Sequence, residues 1–324
     1  MRALITGASG FIGSHLTEKL LRKGFETDCL TRNTANPGWL KDLDVNLIQG
    51  DCSDENFLFN HVRNYDYIFH LSGLTKTSSP DDFYSVNFNG AENIINAVVR
   101  KNPNIKRFVY LSSLSAFGPR VNNKMPTEDQ EPLPVSHYGK SKLKGEGAVL
   151  RHSDIIPVSI LRPSAVYGPR DREIFLLFKC VKKGLFPYWG KGSTSMIYVD
   201  DLITAIVAAA ESDNAVGRTY FISDGAVYTN ENIVKEMASV LGVMPLKIKV
   251  PRSFLPAIGF FGEKISKIVG TNTMINRDKI KELMYTDWIC DITRARNELS
   301  FEPKVGIKEG IKWTADWYKI HKWL

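Results

Sequence analysis

Tyr138 and Lys142, in Tyr138-Gly139-Lys140-Ser141-Lys142, are the two residues whose types and spacing most directly suggest chemistry. On a helix, positions i and i+4 share a face and stand one turn apart. A free tyrosine, with a pKa of about 10, is a poor base near neutrality. An ammonium beside it favours the phenolate, so Tyr138 would exchange a proton with a substrate hydroxyl or carbonyl. Such pairs are common by chance. This one gains weight from lying behind a serine-rich strand end, Leu111-Ser112-Ser113-Leu114-Ser115, and downstream of a glycine-rich turn.

That turn is Thr6-Gly7-Ala8-Ser9-Gly10-Phe11-Ile12-Gly13, and it opens a stretch with Leu16, Leu20 and Leu21 at helical spacing. Glycines are needed where a backbone turns sharply, approaches a pyrophosphate, or packs helix on strand. The helix N-terminus then offers free N–H groups to the phosphates. The acidic residue that reads an NAD ribose lies at the end of the second strand, about 20 residues on. Here that run is Cys29-Leu30-Thr31-Arg32-Asn33, with Thr31 in the acidic place. With no carboxylate to repel a 2′-phosphate and Arg32 able to bond it, NADP is expected in preference to NAD. One charge-assisted hydrogen bond contributes roughly 1.5–3 kcal/mol, about ten- to hundredfold in affinity. Arg32 stacked on adenine is the alternative.

These residues require elements to hold them. Apolar runs at Ala3–Ile5, Thr27–Leu30, Asn46–Ile48, Tyr67–Leu71, Phe108–Leu111 and Val158–Leu161 alternate with helical stretches at Ile12–Lys23, Ser85–Lys101 and Tyr138–Leu150. Alternation of this kind predicts an α/β fold with a Rossmann-type doubly wound parallel sheet. After Pro163 the rhythm breaks into shorter pieces separated by proline and glycine. The reading is a nucleotide-binding domain over residues 1–165, joined by about 196–223. A smaller α/β substrate-binding domain takes residues 166–195 and 224–324. Asp200 and Asp201 read as helix caps, and Trp313 and Trp317 as a core-facing stripe.

Composition excludes several classes. The 324 residues are 43% hydrophobic and 24% charged, as in ordinary globular proteins. Ile203–Ala210 and Phe254–Phe261 fall well short of the roughly 18–20 apolar residues of a membrane span. With no signal-like leader, a cytoplasmic location is expected. Cys29, Cys52, Cys180 and Cys290 are scattered, which suggests neither a disulfide framework nor a metal site. The net charge of +7 is spread along the chain, so no nucleic-acid partner is expected.

The Thr6–Gly13 turn departs from the Gly-x-Gly-x-x-Gly spacing of most dinucleotide folds. It resembles the fingerprint of the extended short-chain dehydrogenase/reductase superfamily, in its epimerase/dehydratase branch. The resemblance covers most of the chain and implies a Ser–Tyr–Lys site, with Ser113 as the hydroxyl; Ser112 and Ser115 are the other candidates. It also implies cofactor contacts. Gly7, Gly10, Phe11, Ile12 and Gly13 would meet the pyrophosphate, Asp51 and Cys52 the adenine, and Leu71, Ser72 and Gly73 the ribose. Asn87 would order the lysine network, Tyr138 and Lys142 would reach the nicotinamide ribose, and Pro163 and Val166 the carboxamide. Related enzymes often pair as homodimers, which is expected here too. Nucleotide-sugar epimerases of the branch often carry an arginine before the returning strand; Lys191–Ile197 holds none. This departure, with the apolar Phe254–Phe261, favours ketone reduction or alcohol oxidation on a less polar small molecule. In that respect the chain is similar to the dihydroflavonol-reductase and 3β-hydroxysteroid-dehydrogenase groups. The alternatives are a nucleotide-sugar epimerase or dehydratase with retained NAD, and a non-catalytic NADP sensor.

Overall fold

A computed structural model of the chain describes residues 1–77, 79–257, 259–260 and 277–324. Six strands fill the first half: β1 (Arg2–Thr6), β2 (Glu26–Thr31), β3 (Asn46–Gln49), β4 (Tyr67–His70), β5 (Arg107–Leu111) and β6 (Val158–Pro163). The later strands are mostly shorter: β7 (Ala165–Tyr167), β8 (Leu185–Tyr188), β9 (Ser193–Thr194), β10 (Met196–Tyr198) and β11 (Arg218–Ile222). β12 (Tyr228–Thr229), β13 (Leu246–Lys249) and β14 (Asp287–Trp288) complete the set. The main sheet is parallel, in the order β11-β6-β5-β4-β1-β2-β3. Its order reverses between β1 and β4, where doubly wound sheets open a crevice at their carboxyl ends.

Both faces of this sheet are covered, which is why its strands read as nearly unbroken apolar runs. Successive side chains point to opposite faces. Leu4, Ile68, Phe108, Tyr110 and Ile160 pack with Ile94, Ile95 and Val98 of the helix Gly90–Lys101. Ile5, Phe69, Val109 and Leu161 share the other core with Leu16 and Leu20 of the helix Phe11–Arg22, and with Leu202 and Ile206 of Val199–Glu211.

One predicted helix differs in a way that matters. The stretch read as continuous from Ser85 to Lys101 contains a π-turn over Tyr84–Asn89. Widened turns of this kind release backbone groups from the helical ladder and recur at functional sites. Here the Asn87 carbonyl accepts from the Tyr110 hydroxyl at 3.3 Å.

Two other expectations fail. Asp201 does not cap its own helix: it accepts from the Lys304 and Val305 N–H groups at 2.9 and 2.8 Å, fastening the C-terminal segment. Trp313 is 48% exposed and lies edge-on to Tyr198, while Trp317 packs on Trp39. The stripe therefore holds for Trp317, which packs against the main core, and fails for Trp313. Of Phe254–Phe261, Leu255 is buried and Phe254 exposed, while Ile258 and Phe261 lie outside the described residues. Among the described residues no helix is long and apolar enough to cross a membrane.

Candidate active site

The glycine turn leaves β1 and enters the helix Phe11–Arg22. Gly7 has φ +71°, and a Cβ there would lie 2.8 Å from the Ser72 backbone nitrogen. A Cβ on Gly13 would stand 2.2 Å from the Gly7 oxygen. These two glycines bring β1, the end of β4 and the helix into close contact. Gly10 caps the helix with no side-chain hydrogen bond, and the first turn holds no acidic residue. The N–H groups at this terminus therefore face the crevice without a competing side-chain acceptor, which fits a pyrophosphate.

At the next strand end, Thr31 is buried while Arg32 is exposed. The Asn33 side chain accepts from the Ala35 and Asn36 N–H groups at 3.0 and 3.2 Å, shaping the loop beside Arg32. Asp51 accepts from the Ser53 N–H at 2.8 Å, and Cys52 is buried behind it. Thr6 and His70, at the ends of β1 and β4, are joined Oγ1 to Nδ1 at 2.8 Å. His70 is fully buried, which pushes its pKa down to about 3, with Lys142 adding to the effect. It is a neutral packing residue, stacked on Tyr110.

The proposed catalytic side chains meet across β4, β5 and the helix His137–Leu150. Ser113 follows β5 as the N-cap of the short helix Leu114–Phe117, where its hydroxyl accepts from the Ser115 N–H at 3.1 Å and acts to lower the pKa of Tyr138. Lys142 is buried and donates from Nζ to the Leu111 carbonyl at 2.8 Å. Burial pushes its pKa down to about 8, partly offset by Glu146. Asn87 donates to the Leu74 carbonyl and to Ser141 Oγ, and accepts from the Leu74 N–H at 2.7 Å. Between them sits Gly73, where a Cβ would lie 3.2 Å from Lys142 Nζ and 3.3 Å from Asn87 Oδ1. Leu71, Ser72 and Gly73 thus form a small-residue floor. Pro163, at the end of β6, is buried, and Val166 in β7 is half-buried.

The charge arrangement around Tyr138 was not legible beforehand. Burial pushes its pKa up to about 12, and the opposing influences are the Ser113 hydrogen bond and the charge of Lys279. Lys142, which the spacing suggested would lower the Tyr138 pKa, is instead held beneath by Leu111 and lies 4.8 Å from the Tyr110 ring centre. Lys279 belongs to the helix Arg277–Leu283, far away in sequence. From the same helix, Asp278 accepts from the His137 and Tyr138 N–H groups at 2.8 and 3.0 Å, and Glu282 accepts from Ser136. The helix His137–Leu150 is therefore capped by a distant segment as well as by Ser136.

Ser112, a candidate hydroxyl, is turned elsewhere. It donates to Glu146 at 2.5 Å, and Glu146 is gripped by both the Nε and Nη2 of Arg162. This buried pair sits one helical turn beyond Lys142 and ties β5, β6 and the catalytic helix together. A bidentate, hydrogen-bonded geometry is what such a buried pair needs.

Residues 3–223 match the NAD dependent epimerase/dehydratase family. The chain belongs to that family. It is 30% identical to a protein of Caulobacter vibrioides named ceramide reductase, over 99% of this chain and 95% of that one. It is 25% identical to 3beta-hydroxysteroid-dehydrogenase/decarboxylase isoform 2 of Arabidopsis thaliana, over 97% of this chain and 61% of that one. Among solved structures, the UDP-glucuronic acid 4-epimerase of Bacillus cereus, in complex with UDP-glucuronic acid and NAD, superposes with a TM-score of 0.79. Identity is 23%, and the match covers 99% of this chain and 100% of that one.

As a member of the epimerase/dehydratase family, the protein is an enzyme of the extended short-chain dehydrogenase/reductase type that binds a nicotinamide dinucleotide. Membership also frames two contacts that no local motif announced. Arg170, at φ +74°, pairs with Glu18 and donates to Ser14 Oγ at 3.0 Å; His15 Nε2 lies 3.0 Å from the Pro169 carbonyl. The loop after β7 is thereby clasped to the first turns of the glycine-led helix.

Proposed function

We propose that this enzyme is an NADP-preferring reductase that acts on a ketone within an apolar, lipid-like substrate. The observation that carries the reading is the meeting of Ser113, Tyr138 and Lys142: Lys142 is fixed on the Leu111 carbonyl at 2.8 Å, and burial pushes the Tyr138 pKa up to about 12, so the phenol keeps its proton. A protonated phenol is an acid, the state that a carbonyl reduction requires. When bound, the dinucleotide supplies hydride chemistry, and Gly7, Gly10, Gly13, Asp51, Asn87, Lys142 and Pro163 would hold it. Tyr138 would give its proton to the substrate oxygen as negative charge develops there, while Ser113 aims a second hydroxyl at the same position. Lys142, anchored to Leu111, would orient the ribose side of the site.

Three observations support the finer assignments. Thr31 stands where a ribose-reading carboxylate would, and Arg32 is exposed beside it. The loop before β9 holds no arginine of its own. Arg252 reaches that loop but donates its Nε to the Trp189 carbonyl at 2.9 Å, so that edge of the guanidinium is already used. The Caulobacter relative is named a reductase of a lipid. The second reading, nucleotide-sugar epimerisation with retained NAD, is favoured by likeness to nucleotide-sugar epimerases such as the Bacillus structure.

The deciding experiment offers the purified enzyme NADPH or NADH with long-chain and ring ketones, and separately UDP-glucose. Oxidation of NADPH by the ketones, with UDP-glucose unchanged, is the expected result. Tightly retained NAD released on denaturation, together with turnover of UDP-glucose, would overturn the reading.

Arg32→Asp isolates the ribose contact. Removing one charge-assisted bond and adding a repelling carboxylate should weaken NADPH by about a hundredfold or more and leave NADH nearly unchanged. Dissociation constants from quenching of protein fluorescence would show it, and an undiminished NADPH preference would mean Arg32 lies elsewhere when cofactor binds.

A further inference from the structure

Strands β8 and β13 pair in parallel, with Leu246 opposite Leu185 and Ile248 opposite Pro187. Alternation sets these four side chains on one face and Phe186, Tyr188, Lys247 and Lys249 on the other. The second face is partly packed: Phe186 is buried, and Lys247 lies 3.6 Å from the Tyr188 ring centre while pairing with Glu231 at 3.1 Å, though Lys247 and Lys249 are exposed. The first face is open. Leu246 is 70% exposed, Leu185 and Ile248 are each 40% exposed, and Met244 just before them is 92% exposed.

The chain that forms and flanks these two strands is basic. Residues 174–199 contain Lys179, Lys182, Lys183 and Lys191 and no carboxylate; residues 237–262 contain Lys247, Lys249 and Arg252 and no carboxylate. The β8–β13 register sets Leu185–Tyr188 and Leu246–Lys249 of these stretches side by side, and the nearby carboxylate of Glu231 is paired with Lys247. Protruding apolar side chains among cations match the interfacial zone of an anionic bilayer. Apolar groups enter the acyl boundary there, and ammonium groups meet phosphates. A second copy of the chain fits poorly, because a twofold contact would set these cations against themselves.

We propose that the β8–β13 face docks the enzyme onto the surface of an anionic lipid bilayer, without spanning it. This goes beyond the reductase reading and rests on different residues, so either can fail alone. The test is flotation of the purified enzyme with vesicles of phosphatidylcholine alone, or of equimolar phosphatidylcholine and phosphatidylglycerol. Binding to the anionic vesicles, absent from the neutral ones and reversed by salt, is the expected result. Leu246→Asp with Ile248→Asp should reduce that binding by about tenfold or more, as should Lys182→Glu with Lys183→Glu. These positions are exposed, so melting temperature and NADPH affinity should not move. No flotation with anionic vesicles, equal flotation with neutral ones, or full binding by both double variants would each overturn the proposal. So would a concentration-dependent dimer abolished by Leu246→Asp. Loss of ketone turnover in the wild type would instead sink the reductase reading.

Discussion

Tyr138→Phe is expected to lower kcat for ketone reduction by about a thousandfold, while NADPH affinity stays within about twofold. The substitution removes one oxygen and keeps the ring, which packs at 5.9 Å on Phe83. What is lost is the proposed proton donor beside Ser113. The groups placed at the pyrophosphate lie on other elements, and Lys142, one turn along the same helix, keeps its anchor on the Leu111 carbonyl. Steady-state turnover and a fluorescence titration of NADPH would separate the two quantities. Unchanged turnover would remove Tyr138 from the chemistry. A parallel loss of affinity would make it a binding residue. The direction of reaction gives a further check. With the phenol pushed up to about 12 by burial, the acid form persists through neutral pH. Reduction should therefore need no alkaline activation, whereas the reverse alcohol oxidation should quicken as pH rises.

Lys142→Met should separate stability from activity. In the fold Lys142 titrates at about 8, because burial disfavours its charge; in an unfolded chain lysine titrates near 10.4. Between those values the unfolded state binds more protons, so stability rises with pH across that window. Below about 8 the full penalty of the buried charge is present, roughly 3 kcal/mol. Methionine removes that penalty and fills a similar volume, but leaves the Leu111 carbonyl without its donor, at a cost of about 1–3 kcal/mol. The variant should melt no lower than wild type at pH 7 and lose the rise in stability above pH 8. Its turnover should fall by about a hundredfold or more, because the ribose side loses a fixed positive donor. Thermal melts across the pH range with kcat/KM at pH 7 would test this. A variant that melts several degrees lower, with the pH slope intact, would show that the ammonium stabilises the fold.

Much of the fold was visible in local pattern. The six strands of the first half were legible because a parallel sheet covered on both faces requires nearly unbroken apolar runs, and β1 to β6 have them. The glycine turn was legible because its constraints are short-range: Gly7 must reach φ +71°, and Gly13 must approach the Gly7 carbonyl. The Tyr138–Lys142 pair was legible because helical spacing alone places both on one face. The π-turn at Tyr84–Asn89 was not, since a widened turn leaves no mark in apolar periodicity.

Local pattern therefore determined which residue types would stand at the ends of β1, β4 and β5, because spacing along a strand or helix fixes direction within a few residues. Only the tertiary structure decided what surrounds them. Asp278 and Lys279 reach the catalytic helix from 140 residues away in the chain. Arg162 grips Glu146 from a neighbouring strand. Leu185 and Leu246, distant in the chain, share one apolar face only through the β8–β13 register. Burial and Coulomb interaction act through space, so the proton on Tyr138 and the lowered pKa of Lys142 follow from packing between segments that no sequence window contains.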